Sequence, residues 1–298
     1  MGNIVEALAA KKILVSDGAW GTMLQSFGLK TGECPELLNE ISPEIVLKVA
    51  KSYVLAGSDI IETNSFGGSK VKLQHFNLQD KCFELNKKAA EISRQAAGDS
   101  LVIGSVGPTG KFISMGEISD DELYESFYTQ MKGLDSGGVD GICIETFYDL
   151  DEAKVAIRAA KEFKNIDVIT TFTFDKTPDE NYFSIMGVDP QTMASMLIDL
   201  QVDIIGSNCG NGFENMVDIV GEIRKVSSDV PVLIHANAGI PELIDNKIVY
   251  NETPEFVGEV AVRIINVGAN IIGGCCGTTP EHISNIRKQV DKLLREMK

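Results

Sequence analysis

AGSDIIET, residues 56–63, decides the fold, because the chain repeats it. GGVDGICIET at 137–146, LQVDIIGSNC at 200–209 and VGANIIGGCC at 267–276 follow the same pattern. In each, one Asp or Asn (Asp59, Asp140, Asp203, Asn270) precedes a short apolar run. Four further runs lie between them: ILVSDG at 13–18, LVIGSVG at 101–107, VITTFTF at 168–174 and PVLIHAN at 231–237. All eight are apolar on both faces, as parallel strands covered by helices must be. A pattern shared by every second strand is what alternating layers of barrel side chains produce.

Helix signals fill the gaps. Ser42, Asp189, Thr253 and Thr279 each stand as an N-cap before a proline at the first helical position. Ser119 to Glu122 reads as a capping box. Gly57, Gly137-Gly138 and Gly268 mark helix ends. Eight strand–helix units in 298 residues is about 37 residues each, which suits a barrel. The sequence thus predicts an α/β protein, a (β/α)8 TIM barrel formed as a single domain over 1–298, closed by a helix from Pro280. An open doubly wound sheet is the competing arrangement.

Composition narrows the function. Asp and Glu number 43 against 27 Lys and Arg, a net charge of −16. Such a chain repels nucleic acid and anionic membranes. No run reaches the ~18 apolar residues of a membrane span. MGNIVEALAAKK at 1–12 lacks a basic start and carries Glu6, so it reads as a short helix and not a signal peptide. Six cysteines are too few for a disulfide scaffold, and the expected compartment is the reducing cytoplasm.

Barrel chemistry sits at the C-terminal ends of the strands. Three of the six cysteines end strands six and eight: Cys209, Cys275 and Cys276. Three thiolates with an open fourth position describe a catalytic zinc site. The alternatives are buried free cysteines or a vicinal disulfide. Gly273, Gly274 and Gly277 give the paired cysteines the backbone freedom to face one metal. Cys143 and Cys82 read as core and Cys34 as structural. His235 reads as a core histidine, and His75 and His282 as exposed helix residues. Asp17 and Glu145 end strands one and four. They are either structural acceptors or binders of the ammonium or backbone amide of a small amino acid. No phosphate loop, hydrolase triad or metalloprotease motif is present.

GSNCGNG at 206–212 with GGCCGTTPEHI at 273–283 resembles the homocysteine S-methyltransferase family. SDGAWGTMLQ (16–25), AGSDIIETNSFGGS (56–69), VGPTG (106–110), GICIETFYDLDEAK (141–154) and HANAGIP (235–241) extend the likeness along the whole chain. It is nearest to the homocysteine-binding module of cobalamin-dependent methionine synthases. The resemblance implies a Zn2+ barrel that methylates homocysteine, with Cys209, Cys275 and Cys276 as metal ligands. It implies that Asp17, Gly18 and Glu145 contact the amino acid part of homocysteine, with Thr63 and Asn237 nearby. Asn237 is then placed to take the open metal position when substrate is absent. Betaine-dependent relatives carry a tyrosine ligand where this chain has Gly67, which argues against betaine as donor. The segment 175–187 matches the family poorly, so no substrate contact is carried over onto it.

A free thiol holds its proton near pH 7, with a pKa of about 8.5, and coordination to zinc removes it. No general base is then needed, which agrees with the lack of a histidine motif. The corrinoid-binding pattern D-x-H-x-x-G is absent. The expectation is therefore methyl transfer from a separate methyl-corrinoid protein to homocysteine, giving methionine. The rival donor is a small sulfonium such as S-methylmethionine, and the rival acceptor another small thiol. A non-catalytic zinc-binding subunit of a methyltransferase complex is the alternative from another class.

Overall fold

The computed structural model describes residues 2–244 and 247–296. The eight predicted runs form eight parallel strands: β1 (Leu14–Val15), β2 (Ile60–Glu62), β3 (Leu101–Val106), β4 (Gly141–Phe147), β5 (Asp167–Phe172), β6 (Ile204–Gly212), β7 (Val232–Asn237) and β8 (Ile271–Gly274). They lie in chain order around the sheet, with β8 paired to both β1 and β7. Helix α1 (Asn3–Lys11) comes first. The others follow the strands one by one: α2 (Pro43–Ala56), α3 (Cys82–Ala97), α4 (Asp120–Ser136), α5 (Leu150–Ala160), α6 (Pro190–Asp199), α7 (Phe213–Arg224), α8 (Pro254–Asn266) and α9 (Pro280–Glu296). This is the expected (β/α)8 arrangement. Two small hairpins rise from it, Asp175–Lys176 with Tyr182–Phe183 and Glu242–Ile244 with Lys247–Val249.

The repeat that betrayed the fold does a different job from the one read in the sequence. Asp59, Asp140, Asp203 and Asn270 are not a barrel layer. Each sits just before an even strand and brackets a valine of the odd strand beside it. Asp59 donates its N–H to the Val15 carbonyl at 2.7 Å, and its carboxylate accepts the Val15 N–H at 2.9 Å. Asp140 does the same to Val102, Asp203 to Val168 and Asn270 to Val232. A polar residue there fixes register, since a slip of one residue would break both bonds. The Asp59 bracket also spans the seam between β1 and β2, which are not paired as a ladder. Arg94, Arg224 and Arg287 from flanking helices hold three of the four brackets from outside.

The barrel floor is apolar. Leu14, Ile60, Ile103, Cys143, Ile169, Ile204, Leu233 and Ile271 pack together, one from each strand, and Ile4 and Leu8 of α1 pack with them. The Asp167 carboxylate accepts the N–H groups of Ile4 and Val5 at 2.8 and 3.2 Å, satisfying the first turn of α1 from a neighbouring strand. Cys143 is core, as its sequence suggested.

The caps of Ser119, Asp189 and Thr253 form as expected. Ser42 does not cap: its side chain makes no bond to the helix. His282 is a second correction, because it is buried. Its Nδ1 accepts the Thr279 N–H at 3.1 Å and its Nε2 lies 2.9 Å from the Glu252 carbonyl. The imidazole thus fills the place that Glu or Gln takes in a capping box. No helix is long and apolar enough to cross a membrane among the described residues.

Candidate metal centre and substrate pocket

Two residues above the apolar floor, the same strands present Ser16, Glu62, Ser105, Glu145, Thr171 and His235, all buried. Strand alternation returns every second side chain to the same side, so this is the next layer of the barrel interior. Gly273 in β8 makes room there. A side chain at this position would start 2.8 Å from Ser16 Cβ and 2.9 Å from His235 Cδ2. The layer is polar where the floor was aliphatic.

Three carboxylates meet in it. Asp17 follows β1, and its Oδ2 accepts the Trp20 indole N–H at 2.9 Å and the Glu62 backbone N–H at 2.8 Å. Burial still pushes its carboxyl up to about 7. The Glu145 Oε1 accepts the Ser105 hydroxyl, and its Oε2 accepts the Asn208 amide at 3.2 Å. Burial, with the nearby charge of Asp17, raises this group to about 7 as well. Glu62 is raised well above the usual range, first by burial and then by Glu145 and Asp17. His235 Nδ1 lies 3.5 Å from Glu62 Oε1, but burial depresses the imidazole to about 4, so the ring is neutral near pH 7. Among the described residues no side-chain cation balances these acids. A cationic group from a ligand would lower the cost of ionising them.

The sulfurs stand beside the acids. Cys209, Cys275 and Cys276 have Sγ atoms all within 4.8 Å of one another. Cys275 and Cys276 are free thiols with sulfurs 4.0 Å apart, so no vicinal disulfide is formed. Two local distortions bring the three together. In β6 the register shifts between Asn208 and Gly212, and Cys209 takes φ +58°. After β8 the Cys275 N–H binds the Ala236 carbonyl at 2.6 Å, and Gly277 turns the chain at φ +81°. Tyr250 packs over Gly277, leaving no room for a side chain there, and its hydroxyl meets Cys276. Cys275 and Cys276 donate to Cys209, which lowers its pKa and raises theirs. The Asn237 side chain also hydrogen-bonds Cys209, while its Oδ1 is buried with no partner. Three soft sulfurs and a free carbonyl oxygen form a donor set suited to a thiophilic divalent metal such as zinc.

The structure therefore gathers Cys209, Cys275, Cys276 and Asn237 into one cluster, with Asp17 and Glu145 next to it. Gly18 and Thr63 lie at the ends of β1 and β2, and the structure shows their local contacts. A Cβ on Gly18 would lie 2.7 Å from Thr278 Oγ1 and 2.9 Å from the Tyr53 ring. The Thr63 hydroxyl accepts the Ser105 N–H at 3.1 Å and pairs with Ser65 at 2.6 Å. Sequence reasoning sees Glu62 at a strand end without assigning it a role, and assigns none to Trp20 or Tyr250. A signal for Glu62 was present: in the repeats IIET and CIET it holds the place of Glu145.

A family model described as homocysteine S-methyltransferase matches residues 14–290. Methionine synthase of Mycobacterium leprae is 29% identical over 307 residues, covering 97% of this chain and 25% of that protein. The methionine synthase of Mycobacterium tuberculosis is likewise 29% identical, over 305 residues, with 96% and 25% covered. This chain thus spans about a quarter of the length of those relatives. The metallated form of the homocysteine methyltransferase MmuM from Escherichia coli superposes with a TM-score of 0.80 at 23% identity, covering 96% of this chain and all of that one. Its oxidized form gives 0.79 at 22% identity, with 97% and 100% covered. At these identities the structural likeness speaks for the barrel fold.

Proposed function

Because the chain belongs to the homocysteine S-methyltransferase family, we propose that it acts as one barrel domain transferring a methyl group to the thiol of homocysteine, giving methionine. One observation carries this reading. A cluster of three sulfurs adjoins a buried pocket of three acids. A ligand for such a pocket needs a soft thiol at one end and a cation at the other, and homocysteine has both.

Cys209, Cys275 and Cys276 would hold zinc, with Asn237 Oδ1 as the donor available before substrate arrives. Zinc bound there would supply the Lewis acidity that keeps a substrate thiol deprotonated near neutral pH. The rest falls to the chain. The carboxylates of Asp17 and Glu145 face the ammonium end and orient the amino acid. The apolar floor keeps water from entering beneath it. The sulfur forms its bond to carbon as the donor releases the methyl group and keeps the bonding electron pair, and the thiol proton leaves to solvent. No protein base is required, and the one buried histidine of the pocket, His235, is neutral.

The donor proposed is a separate methyl-corrinoid protein. Exposed apolar side chains from four different strand–helix loops support this: Phe66, Met115, Ile185, Ile240, Leu243 and Ile248. They ring the face on which the pocket opens, where a protein partner gains from covering them. The test supplies homocysteine and zinc-loaded protein with a methyl-corrinoid protein, S-methylmethionine or betaine in parallel. Methionine is expected from the methyl-corrinoid. Methionine from S-methylmethionine alone replaces the donor. A full complement of zinc with no turnover of any donor favours the non-catalytic subunit.

A further inference from the structure

The sulfur cluster draws on three neighbouring strand ends: Cys209 in β6, Asn237 in β7, and Cys275 and Cys276 just past β8. One residue before α8, Glu252, is tied to all three. Its carboxylate reaches β6: Oε2 accepts the Phe213 N–H at 3.1 Å, and Oε1 fills the space that a side chain at Gly212 would need. α7 starts at Phe213 with no side-chain cap from Gly212, so its first N–H groups need an acceptor from elsewhere. The Glu252 N–H donates to the Ala238 carbonyl at 2.9 Å, next to Asn237, and the Ala238 N–H donates to the Cys276 carbonyl at 3.0 Å. The third tie runs through His282. Its Nδ1 accepts the Thr279 N–H just past Cys276, so the ring proton is on Nε2, which donates to the Glu252 carbonyl at 2.9 Å.

We propose that Glu252 is a positioning residue of the metal centre: through its carboxylate, N–H and carbonyl it holds the ends of β6, β7 and β8 together and so sets the spacing of the three sulfurs. This rests on the reading of Cys209, Cys275 and Cys276 as metal ligands, and adds a residue that acts on them through the backbone. The bulge in β6 is the reason such a tie matters. The strand leaves its register with β7 between Asn208 and Gly212, and Cys209 lies in that stretch. The β7 ladder therefore does not fix the Cys209 sulfur against the other two. On the β5 side Asn211 anchors the stretch, donating to the Phe174 carbonyl at 2.6 Å. On the β7 and β8 side the anchor is Glu252. Sulfurs already held at binding distance lose less freedom when a metal arrives. The anionic arm is also well placed for its task, because a helix N-terminus favours negative charge.

The test measures Zn2+ affinity by competition with a chromophoric chelator, and the visible spectrum of the Co2+-loaded protein, whose sulfur-to-metal absorption follows the number and arrangement of bound thiolates. Glu252→Ala removes the carboxylate and keeps both backbone ties. It is expected to lower Zn2+ affinity about tenfold, the low end for residues outside the ligand shell, and to change the Co2+ spectrum. Glu252→Gln keeps an oxygen able to accept the Phe213 N–H. Its affinity should stay within about threefold of the unaltered protein, with the spectrum intact. His282→Asn keeps an acceptor in the place of Nδ1 and has no atom in the place of Nε2. It cuts the tie to β8 alone and should also weaken Zn2+ binding, which keeps the test decisive where the Ala variant folds poorly; unchanged affinity there overturns the proposal. Urea unfolding of the metal-free proteins runs alongside. A Glu252→Ala variant that unfolds earlier but keeps its Zn2+ affinity and Co2+ spectrum has lost only a helix cap, and Glu252 is then no positioning residue. Equal losses in the Ala and Gln variants count against it in the same way. An unaltered protein that binds neither metal removes the reading of the cysteines as ligands and this proposal with it.

Discussion

The floor and the mouth of this barrel are built by the same eight strands, two residues apart, and they are opposites. The floor is apolar, with its strand ends paired. Eight apolar side chains close on one another under Ile4 and Leu8, and the four brackets pair the strand edges. At the mouth little is settled. Three acids are buried together, three thiols share their protons, and Glu62 Oε1 and Asn237 Oδ1 lack partners. Thr146 and Cys209 adopt φ of +60° and +58°, a region costly for a β-branched residue such as threonine. Asn208 holds Thr146 there, accepting its N–H and donating to its hydroxyl, both at 2.7 Å. Strain that persists because neighbours enforce it is typical of functional sites. The fold thus concentrates stability at one end and unspent binding capacity at the other.

The sharpest way to break that division is to remove a sulfur. Cys276→Ala should lower zinc affinity by at least about a hundredfold, since changes outside the ligand shell alone cost about 10–100-fold. The metal-free variant should unfold at nearly the same denaturant concentration as the metal-free parent, because Cys276 is only partly buried and belongs to no core cluster. Metal analysis after dialysis and a urea titration give the two numbers. Retained zinc in this variant and in the matching Cys209 and Cys275 variants removes the metal assignment.

The converse change belongs to the floor. Ile4 is fully buried against the lowest barrel layer. Ile4→Ala should cost about 2–5 kcal/mol of stability, the range for truncating a large aliphatic side chain in a core. Zinc content and homocysteine affinity should be unchanged. A loss of zinc on a par with the loss of stability would show that floor and mouth are one cooperative unit and not two.

The legibility of the sequence follows the same divide. The strands were readable because apolar runs between cap signals have few other folds available, and the repeat at Asp59, Asp140, Asp203 and Asn270 supplied the count. Its cause was not readable, since pairing a side chain with a valine 35 to 44 residues earlier needs the register. The cysteines were legible because three sulfurs at strand ends are rare. Glu62 was harder, because a glutamate at a strand end announces a cap or a surface charge as readily as a ligand contact. His282 misled because a helical histidine near a terminus looks exposed, and its capping role depends on the Glu252 carbonyl from another loop.

The smallest expected signal, per pH unit, comes from titrating the mouth. Glu145 titrates near 7 in the folded chain and close to about 4.3 when unfolded. Between those values the native state holds a proton that the unfolded state has released. A carboxyl raised in this way contributes stability that is fully present below the unfolded value and is lost as pH rises through the folded one. Glu145→Gln has no proton to lose. Its stability relative to the parent should therefore climb from pH 5 to pH 8, by at most about 1.4 kcal/mol per pH unit. Urea unfolding of both proteins without metal or homocysteine, at each pH, gives the difference directly. Ile4→Ala is the control from the floor: it changes no titrating group, so its deficit should stay level across the same range. A level difference for Glu145→Gln as well would mean that the acid is already ionised in the empty pocket, and that the pocket is wetter than its burial implies.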